Sequence, residues 1–134
     1  MKYTYNELID FAVEAGRKSY SPYSQFRVGA ALLTASGNVF TGCNIENRSY
    51  SPTVCAERVA IFKAVSESES DIIALAVVGL DCDYPLPPCG VCRQVLSEFS
   101  KNAVVIMAGR DTSVFKTATI SDLLPFDALD DLKV

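Results

Sequence analysis

A chain of 134 residues has the length of one ordinary domain and can bury a core without disulfide staples. With 49% hydrophobic and 21% charged residues, it is excluded from the disordered class. A net charge of −4 offers no broad cationic surface, which weighs against nucleic acid as substrate or partner.

Thr4-Tyr5-Asn6-Glu7 reads as a capping box. Leu8, Phe11, Ala12 and Ala15 follow on one helical face, which predicts a helix to about Lys18. Ser21-Pro22-Tyr23-Ser24 is a loop, and Phe26 to Leu33 is an apolar run suited to a strand. Turn residues at Ala35-Ser36-Gly37-Asn38 lead into a second hairpin strand, Val39 to Cys43. A polar loop spans Asn44 to Pro52. The next helix starts near Thr53, carries Ala56, Val59, Ala60 and Lys63, and ends near Ser66.

Ile72 to Val78 is almost wholly apolar, as in a central strand covered on both faces. Pro85, Pro87 and Pro88 impose an extended approach to a third helix, Gly90 to Phe99. Val104 to Ala108 and Ser113 to Thr119 are strands joined by a link too short for a parallel crossover, so they pair antiparallel. Ser121-Asp122 open a last short helix that ends before Pro125. The expected architecture is a single α/β domain over residues 1–134, a mixed five-stranded sheet between helix layers. No run approaches the roughly 18 apolar residues of a membrane span. Met1 to Glu7 lack the apolar run of a leader, so the expected location is cytoplasmic, with thiols reduced.

The chain has five cysteines and no histidine. Without histidine there is no Ser-His or Cys-His pair, and a transition-metal site must rely on thiolates and carboxylates. Cys89-Gly90-Val91-Cys92 is a C-x-x-C pair at a predicted helix start, where free N–H groups favour thiolates. Cys55 holds the same position on the preceding helix. Three thiolates leave a fourth tetrahedral position open, as catalytic zinc requires. Glu57 is too close in spacing to Cys55 to share the ion readily, but suits a carboxylate that moves protons beside it. Arg58 and Arg93 each follow a ligand closely and are candidates to moderate the thiolate charge. Two blander readings stay open: a closed four-cysteine zinc site completed by Cys43 or Cys82, and a thioredoxin-like redox pair. The order C-A-E, then P-C-x-x-C, is the signature of zinc deaminases.

The segments Ser21-Pro22-Tyr23-Ser24-Gln25-Phe26, Gly42-Cys43-Asn44-Ile45-Glu46-Asn47, Cys55-Ala56-Glu57-Arg58, Pro88-Cys89-Gly90-Val91-Cys92-Arg93-Gln94 and Leu123-Leu124-Pro125 resemble the small homotetrameric cytidine deaminases in order and spacing. The resemblance implies the three-layer αβα sandwich of that family and one Zn2+ per subunit on Cys55, Cys89 and Cys92. It implies a homotetramer acting on a free nucleoside in pyrimidine salvage, with no nucleic-acid or membrane partner. Glu57 would be the proton shuttle, and the Ala56 N–H would contact the base. Phe26 would pack on the pyrimidine, and Asn44 and Glu46 would bind the ribose 3′-hydroxyl. Tyr50 would stand at the intersubunit edge of the site, and Arg58 would bond the ligand sulfurs. From position alone, Phe26 reads equally as a core residue, and Asn44 and Glu46 as hairpin-closing loop residues.

Two positions depart from the family. Arg48 stands where a small residue is usual. It reads as an intersubunit ion pair, as charge balance for Glu46, or as a change in tolerance at the sugar 5′ end. Phe126 follows Pro125 directly, where two small residues usually precede a phenylalanine that reaches a neighbour's site; no role is assigned to it. A deaminase for a cytosine-nucleoside antibiotic of the blasticidin S type is the alternative enzyme. A zinc-stapled structural or binding protein is the non-enzyme alternative.

Overall fold

In the computed structural model, which describes residues 1–132, alternate residues of three adjacent strands pack to opposite faces of one sheet. These strands are β1 (Val28–Thr34), β3 (Ile72–Gly79) and β4 (Val104–Ala108). Ala30, Leu32, Leu75, Val77, Val105 and Met107 enter one core cluster. Ala31, Leu33, Ala74, Ala76, Val78, Ile106 and Ala108 enter the other. A side-chain period of two, with apolar residues at nearly every position, requires cover on both faces. Helix α1 (Tyr5–Gly16) covers the second cluster with Leu8, Ile9 and Ala12. Helices α2 (Ala56–Ser66), α3 (Gly90–Phe99) and α4 (Ile120–Leu123) cover the first, through Ala60, Ile61, Ala64, Leu96 and Ile120.

With the outer strands β2 (Val39–Cys43) and β5 (Phe115–Thr119), the sheet order is β2-β1-β3-β4-β5. β1 is antiparallel to β2 and β3, β3 and β4 are parallel, and β4 and β5 are antiparallel. This is the expected three-layer αβα sandwich with a mixed five-stranded sheet. No helix among the described residues is long and apolar enough to cross a membrane.

Four boundaries differ from the sequence expectation by two residues or more, each for a local reason. α1 stops at Gly16 instead of Lys18, because Tyr20 is drawn into a bridge with Ile45 and donates its N–H to Asn44 O. β1 begins at Val28, not Phe26, because Gln25 has φ 55° and Asn44 occupies the backbone groups of Phe26 and Val28. α2 begins at Ala56 because Val54 exchanges both main-chain hydrogen bonds with Ile45 and stays extended. β5 begins at Phe115 because Ser113 is tied to Asp111 by its N–H and hydroxyl.

Gly42 lets β2 approach the first turn of α2. A Cβ built there would lie 2.4 Å from Ala56 O and 2.7 Å from Ala60 N. A short loop after β3 then carries the chain to α3, so the starts of α2 and α3 lie together.

Candidate metal centre and substrate cavity

Cys55 is the N-cap of α2 and Cys89 the N-cap of α3; both have extended backbones and neither caps through its side chain. Their sulfurs are thus left for another partner, in the positive field of two helix N-termini. Cys92 lies one turn into α3 and is buried. The sulfur atoms are 3.7 Å apart for Cys55–Cys89 and 3.4 Å for Cys89–Cys92, and all three lie within 4.8 Å of one another. Tetrahedral zinc with Zn–S bonds of about 2.3 Å sets its sulfurs roughly 3.8 Å apart, so this donor set fits that ion. Among the described residues, Cys43 and Cys82 do not join the cluster. Cys82 Sγ instead donates to Tyr84 O at 3.2 Å. The closed four-cysteine cage is therefore not formed.

Arg58 Nη2 donates to Cys55 Sγ at 3.2 Å. Interaction with the Cys92 thiol, followed by donation from Arg58 and Cys89, holds the Cys55 thiol well below its ordinary pKa, and Cys92 is pushed up in exchange. Arg93 reaches no sulfur. Its Nε donates to Pro88 O at 2.8 Å and its Nη1 to Leu123 O at 3.0 Å. It fixes the main chain just before Cys89 and ties it to the end of α4.

A cavity of about 200 Å³ opens beside the sulfurs. Cys55, Ala56, Glu57 and Cys89 form one wall; Val28, Val54, Leu86 and Pro87 are apolar; Asn44 and Thr53 are polar. Glu57 is only 3% exposed, and burial raises its carboxyl to about 7. Ala56, as the first residue of α2, has an N–H with no partner inside the helix. Thr53 also lines a second concavity of about 370 Å³, with Tyr23, Ser24, Glu46 and Tyr50.

Of the remaining candidates, Asn44 lines the first space and Glu46 and Tyr50 the second, whereas Phe26 lines neither. Asn44 Oδ1 accepts from Val28 N at 2.9 Å, and its Nδ2 donates to Phe26 O at 2.8 Å. Glu46 Oε1 accepts from Tyr23 N at 3.0 Å and Ser24 N at 3.1 Å, and Oε2 accepts from the Ser24 hydroxyl. These bonds, led by that of Ser24, lower the Glu46 pKa. Phe26 is half-buried and belongs to neither core cluster. Tyr50 is 74% exposed, has φ 62° and meets Tyr23 edge-on at 6.4 Å. Arg48 is exposed and does not balance Glu46, whose contacts are those above. Phe126 is fully exposed with φ 55°.

Sequence reasoning gave no role to Ser24, Thr53 or Ser19. Ser24 lies in a loop two residues before Phe26, a usual position for a hydroxyl that bonds main chain. Its Oγ indeed accepts from Phe26 N at 3.1 Å. Its partnership with Glu46, 22 residues away, has no local signal.

The family model "Cytidine and deoxycytidylate deaminase zinc-binding region" matches residues 2–108. A cytidine deaminase of Halalkalibacterium halodurans is 48% identical over 118 residues, covering 88% of this chain and 89% of the relative. A blasticidin-S deaminase of Bacillus cereus is 31% identical over 126 residues, covering 89% and 88%. The crystal structure of a cytidine deaminase from Burkholderia pseudomallei superposes with TM-score 0.88 at 42% identity, covering 92% of this chain and 98% of that one. With a match over most of its length, and three clustered sulfurs and a buried acid within residues 2–108, the chain belongs to the cytidine and deoxycytidylate deaminase family.

Proposed function

We propose that this chain is an enzyme that hydrolyses the 4-amino group of cytidine and deoxycytidine, giving uridine and deoxyuridine with release of ammonia. The observation that carries this reading is the placement of Glu57, a buried acid on the same cavity wall as Cys55 and Cys89. Zinc on Cys55, Cys89 and Cys92 supplies the Lewis acidity that makes water a nucleophile near neutral pH.

The chain's own groups supply position and protons. Glu57 accepts a proton from the attacking water and gives it to ring N3, then takes the second proton from the hydroxyl added at C4 and gives it to the amine, which leaves as ammonia while the C4 carbonyl forms. Such transfer by a positioned acid is worth roughly 10² to 10⁴ in rate. The Ala56 N–H faces the base from the start of α2. The apolar wall excludes bulk water, and Phe26 packs on the ring. Asn44 and Glu46 address the sugar. Their internal bonds leave an amide N–H on Asn44 and a lone pair on Glu46 Oε2, a donor and an acceptor suited to hydroxyl groups. A base beside Glu57 in the smaller space, with a sugar that passes Asn44 toward Glu46 in the larger, is consistent with the wall the two spaces share at Thr53.

The finer assembly and location belong to the same reading. Tyr50, Ile45, Phe62 and Phe126 are exposed apolar side chains that suit a homotetramer, with Tyr50 at a subunit edge. Reduced cysteines suit the cytoplasm. Deamination assayed by absorbance on cytidine, deoxycytidine, CMP and blasticidin S, with zinc quantified in the same sample, tests the function. Light scattering tests the assembly. Turnover of cytidine and deoxycytidine with one zinc per chain is the expected result. Turnover of blasticidin S alone, or full activity without metal, overturns it.

A further inference from the structure

Ser19 lies just beyond the end of α1 and reaches the side chain of Asn44. Its Oγ is 2.5 Å from Asn44 Oδ1, 3.1 Å from Ser21 Oγ and 3.2 Å from Asn44 O. An amide oxygen has two acceptor sites. Val28 N–H takes one on Asn44, and the Ser19 hydroxyl is placed to take the other. On the nitrogen side, one hydrogen goes to Phe26 O.

The two backbone partners decide which end of the amide is oxygen. A flipped amide would set N–H against the Val28 N–H, and oxygen against the Phe26 carbonyl. Both partners, however, lie on one short segment, and they leave the tilt of the amide plane loosely held. Ser19 comes from a different element and supplies a third anchor from another direction. The remaining N–H of Asn44, a residue that lines the cavity, is thereby held at one angle.

We infer that Ser19 is a positioning residue for sugar recognition, fixing the Asn44 amide so that its remaining N–H meets a sugar hydroxyl. This rests on the reading of Asn44 as a sugar contact. Ser19 neither lines the cavity nor joins the sulfur cluster, so its effect falls on substrate affinity and not on the chemical step.

The test compares cytidine with 2′,3′-dideoxycytidine, which lacks the 2′- and 3′-hydroxyls, in the zinc-loaded wild type, Ser19→Ala and Ser19→Thr. Ser19→Ala is expected to raise KM for cytidine about three- to tenfold, the range of one net hydrogen bond, with kcat nearly unchanged. KM for the dideoxy substrate should stay within twofold. Ser19→Thr, which keeps the hydroxyl, should restore the wild-type KM for cytidine. If Ser19→Ala weakens both substrates equally, or neither, the inference fails while the sugar reading stands. If the wild type itself handles the two substrates alike, the sugar reading fails and the inference with it.

Discussion

Arg58 donates to Cys55 Sγ at 3.2 Å, yet its own Nε is buried without a hydrogen-bond partner. A buried guanidinium nitrogen without a partner is costly, so something offsets it, and the thiolate cluster is the adjacent negative charge. Removing the arginine leaves three thiolates with less compensating charge. Arg58→Gln is therefore expected to weaken zinc binding roughly 10- to 100-fold, the usual range for groups that support metal ligands. Competition with a chromophoric chelator measures this. Arg58→Lys should recover only part of the loss, because an ammonium lacks the planar fork. Unchanged affinity in both variants would show that Arg58 is only a packing residue.

Glu57 is expected to separate chemistry from folding. Glu57→Gln keeps the shape and removes the ionisable proton carrier from a site where no histidine exists to replace it. Turnover should fall at least 10²-fold, while zinc content by elemental analysis and the thermal midpoint stay at or above wild-type values. Loss of zinc in this variant would instead make Glu57 a ligand.

The Cys89–Cys92 pair was legible because its geometry is local, whereas its meeting with Cys55, 34 residues before Cys89, was read from the order of the motifs. Each cysteine is placed by the start of a helix, and C-x-x-C spans a single turn. The antiparallel pairing of β4 and β5 was legible for the same reason, from a link too short for a crossover. The internal hydrogen bonds of Asn44 and Glu46 were not legible. Asn44 looks like a hairpin-closing residue, but it bonds Phe26, Val28 and Ser19, 16 to 25 positions earlier. Glu46 bonds Tyr23 and Ser24 across the same gap. Such pairings depend on how the tail of α1 crosses the end of β2, which no short-range pattern encodes. The start of α2 was misplaced by the same kind of influence, since Val54 is held extended by Ile45.

Gly42 is expected to admit no side chain. Even a methyl group would press into Ala56 O and Ala60 N, which are backbone atoms of the helix that presents Cys55 and Glu57. Overpacking of this kind costs typically 1–3 kcal/mol. The strand or the helix must yield, and the start of α2 carries Cys55, Ala56 and Glu57 into the cavity. Gly42→Ala should therefore lower both the unfolding midpoint in urea and the zinc affinity. A variant with unchanged stability and metal binding would show that the β2–α2 contact can relax without disturbing the site.

Asp81 accepts three hydrogen bonds from Arg27: from its backbone N at 2.9 Å, its Nε at 3.0 Å and its Nη2 at 2.8 Å. Arg27 directly precedes Val28, and Asp81 lies in the loop that leads to Leu86 and Pro87, so the pair ties together two segments that line the cavity. The Arg27 side chain, then its backbone N–H, hold the Asp81 carboxyl down to about 2. In the unfolded chain it titrates near its ordinary value of roughly 3.9. A carboxyl depressed in the fold contributes stability above the unfolded pKa and loses it as pH falls through the folded one. Wild type should thus exceed Asp81→Asn in stability at pH 6, and the gap should close between about pH 4 and pH 2. The gap is modest, because both side chains are partly exposed to solvent. Urea titrations of the two proteins at pH 6, 4, 3 and 2 measure it. A gap that holds constant down to pH 2 would mean that the ionised carboxylate does not supply the brace.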